Sequence, residues 1–499
     1  MSRINTNVQS LIAQRILGQN NTGLNGSLER LSTGLRINRG ADDPAGLIAS
    51  ESLRSEQAAI AAAIGNAERA DQVVNIAEGG LQEINALLLE VQSLVGQSAN
   101  EAGLSDDERA ANQLQIDSIL QTIDRIAATT SFQGSKLLNG TFDFTVSAQT
   151  SQVVGFQVNA AKLEFAENRA VQVLVTQSAQ NAGLFLSLGN GSLDLSSSDA
   201  RLIFEVGGAL GSREFTFASG TALSAIAAAV NTFSDVTGVS AVASGTGIRL
   251  DSELFGSDEF VSVDVVDDGG SAGGVAALAS GDTSGAIAAG FTTLAAVTNP
   301  VRDDGQDVGA IINGIAATAR GSVAKINTDF LDVEIELNAS GAQNLATLDA
   351  FTITGGGAVF NLGPNVDISN QVSVGIGNVA ARNLGTTVNG FLDDLGSSRS
   401  ANVEDGDLTQ AQRVVNDAIA QVSSLRGRLG AFQKNTIGAT IRSLGVALEN
   451  TSAAESAIRD TDFAAETAEL TRSQILVNAS TNVLGIANNQ PQSVLSLLG

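Results

Sequence analysis

From Leu53 an apolar residue returns at every seventh position through Leu53, Ile60, Ala67, Val74, Leu81, Leu88 and Val95. A second set, Ala63, Ala70, Ala77, Ile84 and Val91, lies three residues further on. Alternating steps of three and four keep one helical face apolar, and sustained over six heptads they predict a rod packed against partner helices. The only prolines, Pro44, Pro300, Pro364 and Pro491, leave that stretch unbroken. A second helix is expected from about Asp106 to Thr129, with Ile116, Ile119, Ile123 and Ile126 on one face and a Ser105, Asp106, Asp107 start signal. Near the other end Val415, Ala418, Val422, Leu425, Leu429, Phe432, Thr436 and Ala439 repeat the spacing, so one bundle built from both chain ends is predicted.

Between these helices, from roughly Asn139 to Ala401, Gly, Ser and Thr become frequent and the period falls to two, as in Phe142, Phe144, Val146 and in Leu331, Val333, Ile335, Leu337. That pattern predicts strands. Within it Arg213 to Phe217 reads as a strand, Thr221 to Asn231 as a capped helix, and Val239 to Ala243 with Ile248 to Asp251 as a hairpin. The expected fold class is therefore mainly α with β: a discontinuous coiled-coil or helical-bundle core made from both ends, with β-rich outer domains inserted in the middle.

The outermost segments carry single stripes: Leu17, Leu24, Leu28, Leu31 and Leu35 at one end, Leu476, Ala479, Val483 and Ile486 at the other. Each stripe has too little partner surface to hold a helix alone. Residues 1–45 hold five Arg against three acidic residues, and residues 450–499 hold two Arg against five, giving 5 − 3 = +2 and 2 − 5 = −3. The ends are thus electrostatically complementary, and Arg30, Arg36 and Arg39 are candidates to pair with acidic residues of the opposite end or of a neighbouring copy. Periodicity alone leaves an intramolecular hairpin and a polymerisation surface equally open. At the joint, Asp43 suits an N-cap and Pro44 the first helical position, so the first helix should break near Gly40 and the long one should start at Pro44, with Asp42 between them.

Composition narrows the chemistry. The chain lacks Cys, His, Trp and Tyr, and its net charge of -26 repels nucleic acid. Without His or Cys no nitrogen and sulfur zinc cluster, imidazole base or thiolate can form, so neither catalysis nor a metal or other cofactor is expected. Acidic groups at Asp264, Asp267, Asp268 and at Asp303, Asp304, Asp307 do not complete a twelve-residue calcium loop and read as turn carboxylates. Gly355 to Gly357 lacks the Lys and Ser/Thr of a phosphate loop. No apolar run suits a membrane span, so no membrane partner is expected, and the first ten residues show no signal-peptide core. Read by composition alone, these features suit a cytoplasmic protein.

Two longer motifs go further. Ser27 to Leu47 reads SLERLSTGLRINRGADDPAGL, Arg459 to Leu470 reads RDTDFAAETAEL, Gln474 to Leu476 reads QIL, and the chain closes with ANNQPQSVLSLLG. Together with Gly79 to Asn85 and Ile123 to Gly134, these closely resemble the two ends of bacterial flagellins, over about 140 N-terminal and about 100 C-terminal residues. Phe215 to Val263 resembles an insertion module found in flagellins and hook proteins.

The resemblance implies a structural subunit that polymerises into the extracellular flagellar filament. It also implies export through the flagellar type III channel without a cleaved signal peptide, with an export chaperone on the C-terminal helix and hook-associated and cap proteins as partners. It assigns 1–43 and 456–499 to a terminal coiled coil lining the filament core. A helical tube domain takes 44–175 and 400–455, and variable outer domains take 176–399, with the module at about 213–266. Subunit packing is then expected at the two terminal stripes and at Leu53, Ile60, Val74, Leu81 and Leu88, with a hinge at Gly40, Asp42, Asp43 and Pro44. Many relatives present an Arg and a Glu to Toll-like receptor 5 where this chain has Glu90 and Gln115, a charge reversal that argues against recognition. A zinc protease in the middle segment, as in some flagellins, would need His. Ser and Thr there are possible glycan acceptors. The rival readings are a hook-filament junction protein and, from another class, an acidic carbohydrate-active enzyme, for which no aromatic sugar platform is evident.

Overall fold

The computed structural model describes residues 6–100, 103–164, 167–188, 192–197, 199–278 and 290–495, with side chains to residue 490. Its helices are α1 (Val8–Thr33), α2 (Pro44–Ser98), α3 (Asp106–Thr129), α4 (Leu223–Asn231), α5 (Ser234–Thr237), α6 (Ala339–Gln343), α7 (Leu408–Ala431), α8 (Gly438–Arg459) and α9 (Phe463–Leu495). The chain divides into two compact units. One holds residues 1–71, 361–370 and 433–499, the other residues 72–360 and 371–432.

The heptad pattern becomes packing as its period dictates. In the larger unit Val74, Ala77, Leu81, Ile84, Leu88, Val91 and Val95 of α2 are buried, as are Ile116, Ile119 and Ile123 of α3 and Val415, Ala418, Val422, Leu425 and Leu429 of α7. The start of α3 is a capping box: the Ser105 hydroxyl accepts from the Glu108 N–H, and the Glu108 carboxylate accepts from the Ser105 N–H. Beyond Leu429 the expected spacing fails. A π turn at Phe432–Ile437 inserts one extra residue, and Ile437 is buried where Thr436 was expected. The irregular stretch leading into α7 is tied to the bundle by side-chain amides. Gln113 of α3, almost wholly buried, donates to the Leu395 carbonyl at 2.8 Å and accepts from the Val403 N–H at 2.8 Å. Gln421 of α7 likewise clasps both backbone groups of Gly385.

The β-rich part is two antiparallel sandwiches, each around its own core. In the first, a five-stranded sheet containing Phe144–Ser147, Arg169–Gln177, Gly309–Ile312 and Thr347–Gly356 faces a four-stranded sheet containing Val153–Ala161, Val323–Asn327 and Leu331–Leu337. In the second, strands Gly183–Ser187, Val239–Ser244, Gly247–Ser252 and Gly274–Ala277 face Arg201–Gly208, Gly211–Ala218, Phe260–Asp267 and Val301–Asp304, with α4 in the core they share. The expected strand, helix and hairpin of residues 213–251 are present. The helix, however, has no side-chain cap: Ala222 stands at the N-cap, and the Thr221 hydroxyl bonds back to the Ala218 carbonyl. The chain enters and leaves the second sandwich at one place, where Gln180 and Gln306 exchange backbone hydrogen bonds of 2.8 and 2.9 Å. Asp307 staples that junction, accepting from the Ser257 N–H and hydroxyl on one side and the Gly321 N–H on the other.

Candidate functional site: the paired chain ends

In the smaller unit α1 and α9 run antiparallel along a seam read directly from spacing. On α1 it passes through Ser10, Ala13, Leu17, Asn20, Leu24, Ser27 and Leu31, on α9 through Leu470, Ser473, Val477, Ser480, Leu484 and Ala487, all buried or half-buried and three or four residues apart. Small and polar side chains share it with Leu17, Leu24, Leu31, Leu470, Val477 and Leu484, and polar groups pair across the join. Asn7 Nδ2 donates to the Ala487 carbonyl at 2.7 Å, the Ser10 hydroxyl to Asn488 Oδ1 at 2.6 Å, and Asn20 Nδ2 to Ser480 Oγ at 2.6 Å. Farther along, Arg30 meets Glu466 at 3.4 Å. The Leu and Val side chains of the seam are only half-buried, so each contributes less than the stabilisation of full burial.

A second set of large apolar side chains points outward. Leu476, Val483 and Ile486 are 44, 56 and 70% exposed, and Ala479 is exposed beside them, so the C-terminal stripe forms the outer face of α9 and not its seam. Leu28 is outward on α1, whereas Leu17, Leu24 and Leu31 lie in the seam and Leu35 is half-buried at its end. The outer faces also carry Val8, Leu11, Ile12 and Ile16 on α1 and Ile475 on α9, which lie outside the two sequence stripes. The signal was present: Val477 and Leu484 sit one residue beyond Leu476 and Val483, which makes α9 apolar on two faces. The heptad residues require a correction. Ile60, Val74, Leu81 and Leu88 are buried inside their own chain, so they are core and are not available to a neighbouring copy, and Leu53 is half-buried.

At the base of the hairpin α1 stops earlier than expected, at Thr33 and not near Gly40, because Gly34 takes a left-handed φ of 74° and its N–H bonds the Arg30 carbonyl at 2.9 Å. The chain then crosses the break between α8 and α9. Leu35 faces Asp460 in an antiparallel bridge, Arg36 N–H donates to the Arg459 carbonyl at 2.7 Å, and Thr461 N–H donates to the Gly34 carbonyl at 2.9 Å. The Arg36 guanidinium reaches the Ile458 carbonyl through Nη2 at 2.6 Å and Nε at 3.2 Å. Of the three arginines only Arg30 finds an acid of the opposite end, since Arg39, in the turn, pairs with Glu29 of α1. Asp42 closes the turn by accepting from the N–H groups of Arg39 and Asn38, and these bonds hold its carboxyl below the usual range. Asp43 accepts from the Gly46 N–H at 2.9 Å and caps α2 at Pro44, while Gly40 is exposed in the turn.

Elsewhere, the Gln115 side chain of α3 donates to Glu90 of α2 at 2.8 Å on an exposed face. Asp267 and Asp268 accept from the N–H groups of Gly269 and Gly270 in turns, and Asp303 from that of Gly183. Among the described residues no helix is long and apolar enough to cross a membrane.

Comparison with known proteins meets the same two ends. Residues 4–143 match the bacterial flagellin N-terminal helical region, residues 413–498 the bacterial flagellin C-terminal helical region, and residues 202–253 the flagellin hook IN motif. The chain is 31% identical to the B-type flagellin of Pseudomonas aeruginosa and 28% identical to flagellin B of Vibrio cholerae, in each case over 99% of both chains. Among solved structures, FliC from Burkholderia pseudomallei is 18% identical, covering 73% of this chain and 99% of its own, with a TM-score of 0.24. Membership of the family follows from the full-length sequence match. The chain therefore belongs to the bacterial flagellins, the structural subunits of the flagellar filament.

Proposed function

We propose that polymerisation works by coupled folding and association of the α1 and α9 pair. The observation that supports it is the division between the two faces: a seam of small, polar and half-buried apolar side chains inside, and exposed Leu11, Ile12, Ile16, Leu28, Leu476, Val483 and Ile486 outside. Each large side chain moved out of water contributes about 1.5 to 3 kcal/mol, but only when a neighbouring copy covers it. Ordering a residue costs about 1 to 2 kcal/mol of backbone entropy, so the ends of an isolated subunit stay largely unordered and fold as the polymer grows. In this layout 1–43 and 456–499 line the filament core, 44–175 with 400–455 form the tube, and 176–399 form the outer domains. Strands between 144 and 177 pair with strands from 309 to 356, which ties the end of the tube segment to the first sandwich. Gly40, Asp42, Asp43 and Pro44 form the turn at which core and tube segments meet.

The same outward positions on α9 suit an export chaperone, which would cover Leu476, Val483 and Ile486 before assembly, with export through the type III channel and hook-associated and cap proteins as later neighbours. Limited proteolysis of soluble subunit should remove both ends while leaving a fragment spanning α2 to α8. That fragment should fail to extend filament seeds under the electron microscope, while the full chain grows tubes. Resistant ends in the monomer, or tubes from the trimmed fragment, would count against the reading. Because Glu90 stands engaged by Gln115 where an Arg is needed, we infer weak recognition by Toll-like receptor 5. Reporter-cell activation equal to that of an Arg-bearing flagellin would contradict this.

A further inference from the structure

We propose that Arg36 is a positioning residue for assembly: its guanidinium locks the end of α8 to the chain leaving α1 and so fixes the direction in which the α1 and α9 hairpin departs. The inference rests on the filament reading above. The geometry begins with an unmet need, because the last carbonyls of a helix have no partner within it and carry the negative end of its dipole. At the end of α8 the Ser456 carbonyl is taken by the Asp460 N–H, and the Arg459 carbonyl by the Arg36 N–H. The Ile458 carbonyl receives two N–H groups of the Arg36 side chain. One residue thus supplies both its backbone and its side chain to consecutive carbonyls.

The return bond comes from the other strand, Thr461 N–H to the Gly34 carbonyl, so the two chain crossings form a ladder only two rungs long. A ladder that short resists neither bending nor twist by itself. A planar guanidinium with two N–H groups on one carbonyl restricts both, and an ammonium, with a single mobile charge, does not reproduce it. A second cation braces the same joint: Arg459 Nη1 donates to Glu51 of α2 at 3.1 Å, tying the α8 end to the long helix. Arg36 therefore acts by geometry and not by charge pairing. Its guanidinium makes no ion pair with any described carboxylate, although the opposite end carries excess acid.

The absence of native cysteine lets the joint be measured directly. Gln14→Cys on α1 and Glu68→Cys on α2 are both exposed positions for spin labels in full-length chain. Doubly labelled subunits, diluted into unlabelled wild-type subunit and grown on seeds, give the distance distribution inside one chain. R36M and R36K should each extend seeds about tenfold more slowly than wild type, and co-assembled R36M subunits should show a distribution about twice as wide. Extension by R36M or R36K within twofold of wild type overturns the assignment, as does slow extension with an unchanged width, which would mark a loss of stability without loss of direction. Wild-type chain that fails to extend seeds would instead sink the filament reading on which the inference stands.

Discussion

Leu88 shows what a single position on the long helix does. It is fully buried within its own chain, and Leu88→Ala should lower the unfolding free energy by about 2 to 5 kcal/mol, measured by denaturant titration of the monomer. That it would be apolar and facing a partner helix was legible from its heptad. Whether the partner was its own chain or another copy was not, because spacing specifies a face and not an owner. The same ambiguity led Ile60, Val74 and Leu81 to be read as packing between subunits. Asp42 gives the opposite case, in which the sequence indicated a turn residue but not its electrostatics. Its carboxylate accepts two backbone N–H bonds, so its folded pKa lies below the ordinary value of 3.8. The sign follows from linkage: the contribution is fully present above the unfolded value and is lost as the pH falls through the folded one. Asp42→Asn should therefore reduce stability at pH 6 and make no difference once the pH is well below the wild-type folded value. Thermal unfolding across that range checks it.

At the level of elements, starts were more legible than stops. Ser105 with Asp106 and Asp107, and Asp43 with Pro44, announce helices through side chains whose capping chemistry is local, and α3 and α2 begin where those residues say. The end of α1 depends on Gly34 adopting a left-handed backbone. Local signals pointed to Gly40, whereas the helix stops at Gly34 beside the bridge to Asp460, a partner more than four hundred residues away. Gly34→Ala should accordingly destabilise the joint by about 1 to 2 kcal/mol, since the added Cβ disfavours φ of 74° even though the nearest atom, Phe463 Cζ, leaves it room at 3.7 Å. Loss of hydrogen-exchange protection at Arg36 and Thr461 is the readout, and unchanged protection would contradict the argument. The π turn was invisible for a related reason. Its residues, Phe432 to Ile437, satisfy the heptad as well as they break it, and burial of Ile437 appears only once the partner surface is present.

For the whole molecule, the division into two helical ends and a β-rich middle was readable because period 3.5 and period 2 are different signals. The pairing order of the strands was not, because each sandwich is closed by strands that lie far apart in the chain, as when Val153–Ala161 pairs with Leu331–Leu337. The outer face of α9 is where assembly and monomer stability should separate. Replacing Leu476, Val483 and Ile486 by Ser removes exposed side chains, so each change should alter monomer stability by no more than about 0.5 kcal/mol while seeded growth, followed by turbidity, falls sharply. Equal growth would show that those positions meet nothing in the polymer. The junction at Gln180 and Gln306 has a different reach. Since the second sandwich departs and returns through two backbones already bonded to each other, it is a side branch on a closed loop. Evolution or an engineer can lengthen it, swap it or hang cargo from it, and the ladders beneath keep their register.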